Sequence, residues 1–260
     1  MMKWWWLLPL FILGLVVQAP AQLLPWVLQQ VNGADAVQLT HVQGTLWKGS
    51  TNVSAPLSTG GQVEFQQVQW QLSPWHLLLG RAVVQLQIPQ RAGNELYGEA
   101  NVQLRATEVS VSSQLHGQLQ PLIQQWRLPV PITVAGQLEL RLDDYGLSDF
   151  DSQQWCHRLA GQLITRNTEM RINHVWHPLG DFNTQLGCVT DGNQQAVQLR
   201  VEPPNLIGLT VAAQVGGSWR APRVKVNGTL QPTAQTPAPI RELLVFLGQA
   251  DAQGRYPFSW

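Results

Sequence analysis

The stretch Val68-Gln69-Trp70-Gln71-Leu72 alternates apolar and polar side chains without interruption. Side chains on a β-strand repeat every two residues, so this alternation places the apolar residues on one face and the glutamines on the other. Strands with one buried and one wetted face usually form antiparallel sheets. The same pattern recurs at residues 37–40, 84–88, 102–105, 109–112, 138–142, 170–173, 197–201 and 224–227. We therefore predict a mainly all-β chain of antiparallel sheets, curved or sandwich-like, with a few short helices.

Glycine-containing breaks between these segments supply residues that are typical of hairpin turns. They lie at residues 59–61, 92–94, 191–193 and 216–217. A tripeptide of Gly, then Gln or Thr, then Leu also recurs at irregular spacing, and we interpret its glycine as a turn just before a strand. Its copies begin at Gly44, Gly117, Gly136, Gly161 and Gly228. A loose echo of residues 37–105 in residues 160–230 suggests two β layers or halves, 31–145 and 146–260, within a domain of residues 31–260.

Three segments carry helical signals. Residues 121–126 have the length of one or two helical turns, and residues 151–159 begin with an Asp or Ser that can cap a helix. A third helix is predicted at Pro239–Leu247, because it begins at proline and Gly248 follows its end. Its apolar side chains share one face of the helix: Ile240, Leu243, Leu244 and Leu247.

An apolar run after Lys3 predicts a membrane helix within residues 1–30. A membrane-spanning helix needs about 20 residues, a length that is reached when the run is extended through Leu28. Tryptophans near both ends of such a span favour the headgroup regions. The residues of the predicted anchor are Trp4, Trp5, Trp6, Leu7, Leu8, Leu10, Phe11, Ile12, Leu13, Leu15, Val16 and Val17.

A cleaved secretory signal peptide is the alternative interpretation, with Ala19-Pro20-Ala21 as the small-residue cleavage site. Both interpretations send the rest of the chain across the membrane. We favour the uncleaved anchor, which predicts a single-pass protein whose bulk faces an extracytoplasmic compartment.

The two cysteines fit an oxidising compartment. Cys156 and Cys188 are an even pair in an exported chain, which favours a disulfide over two unpaired buried thiols. The bond would close a loop of about 33 residues and stabilise the fold by roughly 3–4 kcal/mol in the chain-entropy treatment.

Charge and composition exclude binding to nucleic acid through a basic field. The formal net charge is zero, only 12% of residues are charged, and Lys and Arg are scattered along the chain. Glutamine supplies the polarity instead, with 33 of the 260 residues. Because these glutamines alternate regularly with apolar residues, the chain is predicted to fold despite its low charge.

The chain lacks a recognisable catalytic motif: it has no G-x-S-x-G, Walker A, G-x-G-x-x-G or H-E-x-x-H sequence. His174 and His177 are three residues apart, which on a strand places them on opposite faces and argues against a metal site. Asp143-Asp144 is interpreted as a turn. We therefore expect no metal, no cofactor and no enzyme activity.

Tryptophan is abundant, with 12 residues in the chain. Trp47, Trp70 and Trp75 lie near predicted strand ends or turns. Core packing with each indole N–H bonded to backbone is one interpretation. An apolar groove between open sheets, or contact with the membrane surface, is the other.

Three blocks of sequence resemble protein N of the bacterial type II secretion system, and the resemblance spans essentially the whole chain. The first two blocks also resemble AsmA-like periplasmic proteins, which use elongated, curved β-sheets with an apolar groove. The residues that carry the resemblance are Gly44, Thr45, Leu46, Trp47 and Gly49 in the first block, Trp70, Leu72, Pro74 and Gly80 in the second, and Gly248, Asp251, Gly254, Arg255 and Pro257 in the third.

The resemblance implies an inner-membrane-anchored, periplasmic component of the secretion system of a Gram-negative cell, with a structural or assembly role in the export of folded proteins across the outer membrane. The expected partners are other secretion components, on the inner-membrane platform or secretin side, and the inner membrane itself. Strand edges or the wetted face would meet these partners. The alternative is an AsmA-like module whose apolar faces bind lipid or another hydrophobe in an open groove.

Overall fold

The computed structural model of the protein describes residues 11, 14, 15, 17–26, 37–56, 62–126, 133–148, 154–192, 194–218 and 221–260. Within these residues, thirteen strands form one sheet in which each strand pairs antiparallel with its neighbours in the chain. Each alternating segment lies wholly or mostly in a strand, so the predicted antiparallel β fold is confirmed. The strands are β1 (Gln38–Gly44), β2 (Lys48–Pro56), β3 (Gln62–Leu72), β4 (Ala82–Ile88), β5 (Leu96–Leu104), β6 (Glu108–Gln118), β7 (Thr133–Ser148), β8 (Arg158–Ile172), β9 (Val175–Asp191), β10 (Gln194–Val201), β11 (Leu209–Ser218), β12 (Ala221–Leu230) and β13 (Tyr256–Ser259).

The connections alternate between the two ends of the sheet, because consecutive strands run in opposite directions. We call the end with the connections at residues 45–47, 73–81 and 105–107 the proximal end. The opposite end, with the connections that follow β6 and β12, is the distal end. The sheet is continuous through residues 145 and 146, because β7 spans both.

Short helices lie in the connections. The proximal end holds α1 (Pro74–Leu78), and the distal end holds α2 (Leu119–Trp126), α3 (Ala238–Leu243) and a 3₁₀ helix, Leu244–Leu247. The predicted helices near residues 121 and 239 are therefore confirmed. The second of them divides into an α-helical and a 3₁₀ part before Gly248, whose φ of 104° ends it.

The helix predicted at residues 151–159 is wrong over its described part. Residues 154–157 are irregular, and Arg158 begins β8. Long-range hydrogen bonds explain the difference: the Tyr145 hydroxyl donates to the carbonyl of Trp155 at 2.8 Å, and the Trp155 indole N–H donates to the carbonyl of Gly217 at 3.0 Å. These bonds pin the segment against the sheet, and a local helical pattern cannot anticipate them.

Most of the core lies along one face of the sheet. Laterally paired residues, one from each of β2 to β12, form a row on this face that we call the apolar row, and most of them are half-buried. Only Trp70 and Ser113 in this row are buried. The apolar row consists of Gly49, Trp70, Leu86, Ala100, Ser113, Leu142, Gly161, Leu186, Leu199, Ala213 and Val226.

Helices cover parts of this face at the distal end. Ile240 of α3 packs with Leu179 and Ile207 in a buried cluster. The helix α2 contacts both β7 and β3, and its Leu122 is 4% exposed. The distal part of the core is therefore closed by helices, whereas Trp70 and Leu147 are buried toward the proximal end.

The predicted disulfide is present between Cys156 and Cys188, whose Cα atoms are 6.2 Å apart. Cys156 lies just before β8 and is fully buried, and Cys188 lies in β9. The bond therefore fastens the entry of β8 to the neighbouring strand.

The interpretation of the repeated tripeptide as a turn before a strand is wrong at four of its five glycines. Gly117, Gly136, Gly161 and Gly228 lie inside strands. At Gly161, an added Cβ would lie 2.9 Å from a Leu142 methyl, so these glycines leave space for a neighbour. The turn predicted at residues 216–217 is also misplaced, because both residues are paired with β12.

The predicted membrane anchor falls largely outside the described residues. Of its members, Phe11, Leu15 and Val17 are described; they are helical and more than half exposed. Within the described part of the chain, we find no helix that combines the length and apolar character needed to cross a membrane.

Candidate functional site

Residues 19–21 lie within the predicted anchor segment of residues 1–30, but they are not helical and are bonded to the end of β1 and the turn that follows it. Pro20 forms an antiparallel bridge with Thr45. The Ala21 N–H donates to the Gly44 carbonyl at 3.1 Å, and the Leu46 N–H donates to the Ala19 carbonyl at 2.9 Å. Ala21 is fully buried. We call this contact between residues 19–21 and residues 44–49 the anchor joint.

The first sequence block builds the receiving half of the anchor joint. Gly44 has a φ of 97°, and a Cβ there would lie 2.5 Å from the Lys48 carbonyl oxygen. The Trp70 ring occupies the space above Gly49, and its indole N–H donates to the Leu46 carbonyl at 3.1 Å. Glycine is needed at both positions, because a side chain would displace backbone or the Trp70 ring.

The second block continues from the same joint into α1. The Leu72 N–H donates to the Trp47 carbonyl at 2.7 Å, so the end of β3 is tied to the turn before β2. Pro74 occupies the first turn of α1, and Gly80, with a φ of 70°, ends the connection that follows. The structure therefore brings the first two blocks together at one corner of the proximal end.

The third block is separate and forms a turn around Asp251. Its Oδ1 accepts the backbone N–H groups of Gln253 and Arg255, both at 2.9 Å, and its Oδ2 accepts the Arg255 Nε–H at 2.8 Å. These bonds, the one from the Arg255 backbone N–H first, lower the pKa of the Asp251 carboxyl. Gly254, with a φ of 74°, closes the turn. The block thus positions β13 rather than forming a site for chemistry.

Both edges of the described sheet are interrupted. Trp260 exchanges two backbone hydrogen bonds with Val226. Because the N–H and C=O groups of successive residues in an antiparallel strand point to opposite sides, those of Ser259 and the C=O of Pro257 face away from β12. Pro257 has no N–H to offer to another strand. At the other edge, β1 carries a register shift between Thr40 and Gln43. Edges of this kind are poor templates for an added strand.

The wetted face carries a continuous row of laterally paired residues, one from each of the thirteen strands, of which twelve are polar. We call it the polar row. All of its members are exposed except Ser50 and Ala212, which are half-buried, and Ala212 is its one apolar residue. An open groove of about 640 Å³ lies over its β1–β5 part. The polar row consists of Gln43, Ser50, Gln69, Gln87, Glu99, Gln114, Arg141, Gln162, Gln185, Arg200, Ala212, Asn227 and Ser259.

Charged side chains are more concentrated at the proximal end of β6–β8. Arg158 donates to Glu108 at 2.7 Å and to Asp144 at 3.0 Å. The Arg158 hydrogen bond lowers the pKa of the Glu108 carboxyl. The interpretation of Asp143-Asp144 as a turn is wrong, because both lie in β7, where a register shift between Leu142 and Asp144 turns Asp144 toward its arginine. Exposed pairs of this kind contribute little to stability.

The histidines that suggested a metal pair have structural positions. Asn173 and His174, with φ of 48° and 66°, form the two-residue turn between β8 and β9, and His177 pairs with Met170. Across the described ranges, no group of three or more His, Cys, Asp or Glu side chains is placed to hold a metal ion.

The alternating segments predicted from sequence contain five members of the polar row and miss the other eight, as well as the lateral continuity of the row. The five are Gln69, Gln87, Arg141, Arg200 and Asn227. The signal that could have found the row is the abundance of glutamine, which supplies six of the thirteen members of the polar row. Register was still required, because a shift of one residue in any pair would turn the next strand's glutamines to the other face.

Comparisons with known proteins agree with the resemblance of the three blocks. The family model described as "Type II secretion system (T2SS), protein N" matches residues 35–259. Type II secretion system protein N of Aeromonas hydrophila is 29% identical over 226 residues, which cover 86% of this chain and 83% of the relative. The protein of the same name from Vibrio cholerae is 26% identical and covers 95% of this chain and 91% of the relative. That of Klebsiella pneumoniae is 26% identical, covering 96% and 91%. No solved structure matches the chain.

Proposed function

Because the chain belongs to the family of type II secretion system protein N, we propose that it is an inner-membrane-anchored, periplasmic component of that system with a structural or assembly role. The family makes the chain a component of the secretion machinery. The proposal adds its location, its attachment to the membrane and the surface through which it works.

The polar row is the observation that carries the structural role. Twelve strand spacings of about 4.8 Å make it roughly 58 Å wide along the sheet. Amide side chains both donate and accept hydrogen bonds, so they match the polar surface of another folded protein without requiring opposite charge. A broad, weakly charged face of this kind suits a scaffold that meets other secretion components.

The face is a better contact surface than the edges. Pro257 removes the N–H that an added strand would need at β13, and the register shift in β1 interrupts the opposite edge. We therefore place the partner contact on the polar face. The anchor joint supports the attachment to the membrane, since hydrogen bonds tie residues 19–21 directly to β1.

Site-specific photo-crosslinking in cells tests the assigned face. A photoreactive amino acid at Gln114 or Gln162 should crosslink to other secretion components, because both side chains are exposed in the centre of the polar row. The matched control is Leu163, which neighbours Gln162 but points to the half-buried face. Crosslinks from Leu163 with none from the two glutamines would refute the assignment of the face.

A secretion assay tests the role itself. Lysine at Gln114, Gln162 and Gln185 together places three positive charges in the row, and the triple variant should leave the exported proteins trapped in the periplasm. Lysine at Gln235 and Gln249, which are exposed outside the row, is the control for added charge. Normal secretion by a deletion strain would rule out a required role, and normal secretion by the triple variant would rule out the polar row.

A second function is favoured by one observation. The apolar row is mostly half-buried, and the helices that cover it lie at the distal end. An AsmA-like module that binds lipid or another hydrophobe would use such a face as an open groove. Native mass spectrometry of the chain after gentle extraction is the test, and absence of any bound lipid would count against this alternative.

A further inference from the structure

The helix α1 and Leu79, which follows it, expose large apolar side chains that nothing in the described chain covers. Trp75, Leu78 and Leu79 are 75%, 78% and 67% exposed. Scattered exposed apolar residues are normal on a soluble surface, but three within five residues form a contiguous patch that marks an interaction site.

The patch lies at the same corner of the sheet as the anchor joint. Ala19 bonds to Leu46, Trp47 bonds to Leu72, and α1 begins two residues after Leu72. Residues 19–21 lie beside β1, so β3 is three strand positions away, about 15 Å. The apolar segment that enters the joint and the apolar helix α1 therefore meet the same side of the molecule.

The charges of this corner have one sign. Its basic residues are Lys48 and Arg81, and residues 17–26, 44–49 and 72–82 contain no acidic residue. Acidic side chains begin at the next proximal connection, where Glu108 pairs with Arg105. Basic residues beside exposed Trp and Leu match a bilayer with anionic headgroups, because Trp prefers the interface and Lys and Arg are attracted to anionic lipid.

A second exposed apolar patch lies at the opposite end of the molecule. Val245 and Phe246 are 74% and 85% exposed, and they follow α3 at the distal end. The ten residues of β12 place the two ends roughly 30 Å apart. A bilayer that meets the proximal corner therefore does not reach Phe246.

We propose that α1 is a second membrane contact, with Trp75, Leu78 and Leu79 inserted into the headgroup region of the bilayer that holds the N-terminal segment. The proposal rests on the membrane anchoring given under the proposed function. Two attachment points, the anchor joint and α1, orient the sheet so that the proximal ends of strands β1–β4 face the membrane. With one attachment point alone, the sheet could rotate about that point relative to the membrane.

Depth-dependent fluorescence quenching tests this contact on the full-length chain. The chain is reconstituted into vesicles of phosphatidylethanolamine and phosphatidylglycerol, with an environment-sensitive label on a single introduced cysteine. The native cysteines are paired and do not react. Three variants are compared: Leu78→Cys in α1, Phe246→Cys as an equally exposed apolar control at the distal end, and Leu13→Cys in the predicted anchor. Circular dichroism verifies that each labelled chain is folded.

We expect a blue shift and quenching by spin-labelled lipid at Leu78 and Leu13, and neither effect at Phe246. Quenching at Leu13 without quenching at Leu78 would overturn the contact at α1 and leave the anchor in place. Quenching at Leu78 alone would support the contact and refute the anchor. Loss of quenching at both positions would refute both, and equal quenching at Phe246 would refute the orientation.

Discussion

Removal of the disulfide should cost this protein a large part of its stability. Cys156 and Cys188 are 32 residues apart in sequence, and cross-linking a loop of that length removes unfolded-state entropy worth about 3.7 kcal/mol at 25 °C. Replacing both by alanine also removes a sulfur from a fully buried site at Cys156, which adds about 1 kcal/mol. Alanine is preferred to serine, because a buried hydroxyl would lack a partner.

The assay is urea unfolding of the full-length chain in detergent micelles, followed by the circular dichroism of the sheet. The free energy of unfolding should fall by roughly 4–5 kcal/mol, out of the 5–15 kcal/mol that is typical of folded proteins. The denaturant slope should rise, because an uncrosslinked unfolded chain exposes more surface.

Reduction of the wild-type chain provides the internal control. Adding dithiothreitol should destabilise the wild-type chain nearly as much as the double substitution does, and it should leave the double variant unchanged. A loss of less than about 1 kcal/mol in the double variant would refute the loop-closure reasoning. It would mean that the unfolded chain is already restricted around this hairpin.

Three further outcomes follow from single sites. Gly228→Ala should cost about 1–3 kcal/mol of unfolding free energy, because its Cβ would overlap the Phe258 ring. The control Gly187→Ala should be near neutral, because nothing lies within 4 Å of the added Cβ, and equal effects of the two in urea titrations would contradict this reasoning. Asn94→Ala should lower the free energy of unfolding by roughly 1–3 kcal/mol, because the buried Asn94 side chain accepts a hydrogen bond from the Gln66 N–H and donates to the Gln66 and Pro89 carbonyls. An unchanged melting temperature would argue that water replaces these bonds. The pKa of Asp251 is lowered in the folded chain, so its stabilising effect is present above the unfolded value of about 3.9 and is lost as the pH falls through the lower folded value. The melting temperatures of wild type and Asp251→Asn should therefore differ at neutral pH and converge in acid, and a difference that persists in acid would exclude the charge as its cause.

Much of the β fold could be predicted from residues alone, because alternation is a local property. The segment at residues 68–72 shows the strand, its two faces and its polarity. Non-local contacts caused the errors. Trp155 is held by the carbonyl of Gly217, a residue 62 positions away, so the helical pattern around it was misleading. At Gly161 and Gly228 the space is taken by a neighbouring strand's side chain, so a strand glycine could not be told from a turn glycine.

The candidate site was predictable only in part. The three blocks were recognised in sequence, but their positions in the fold were not. Two of them meet at the anchor joint, and the block around Asp251 positions β13 at the opposite edge of the sheet. The exposure of α1 could not be predicted either. A tryptophan is expected to be buried at both positions, but Trp70 is 7% exposed and Trp75 is 75% exposed.

The sequence by itself determined that this chain is antiparallel β, that its strands have one apolar and one glutamine-rich face, and that its cysteines pair. These properties follow from side-chain periodicity and the chemistry of individual residues. Only the tertiary structure decided that the strands join in chain order into one sheet, that their glutamines align into the polar row, and that residues 19–21 bridge to the turn after β1. Strand register decides these features, because a pairing shifted by one residue would have the same periodicity but would expose the opposite face.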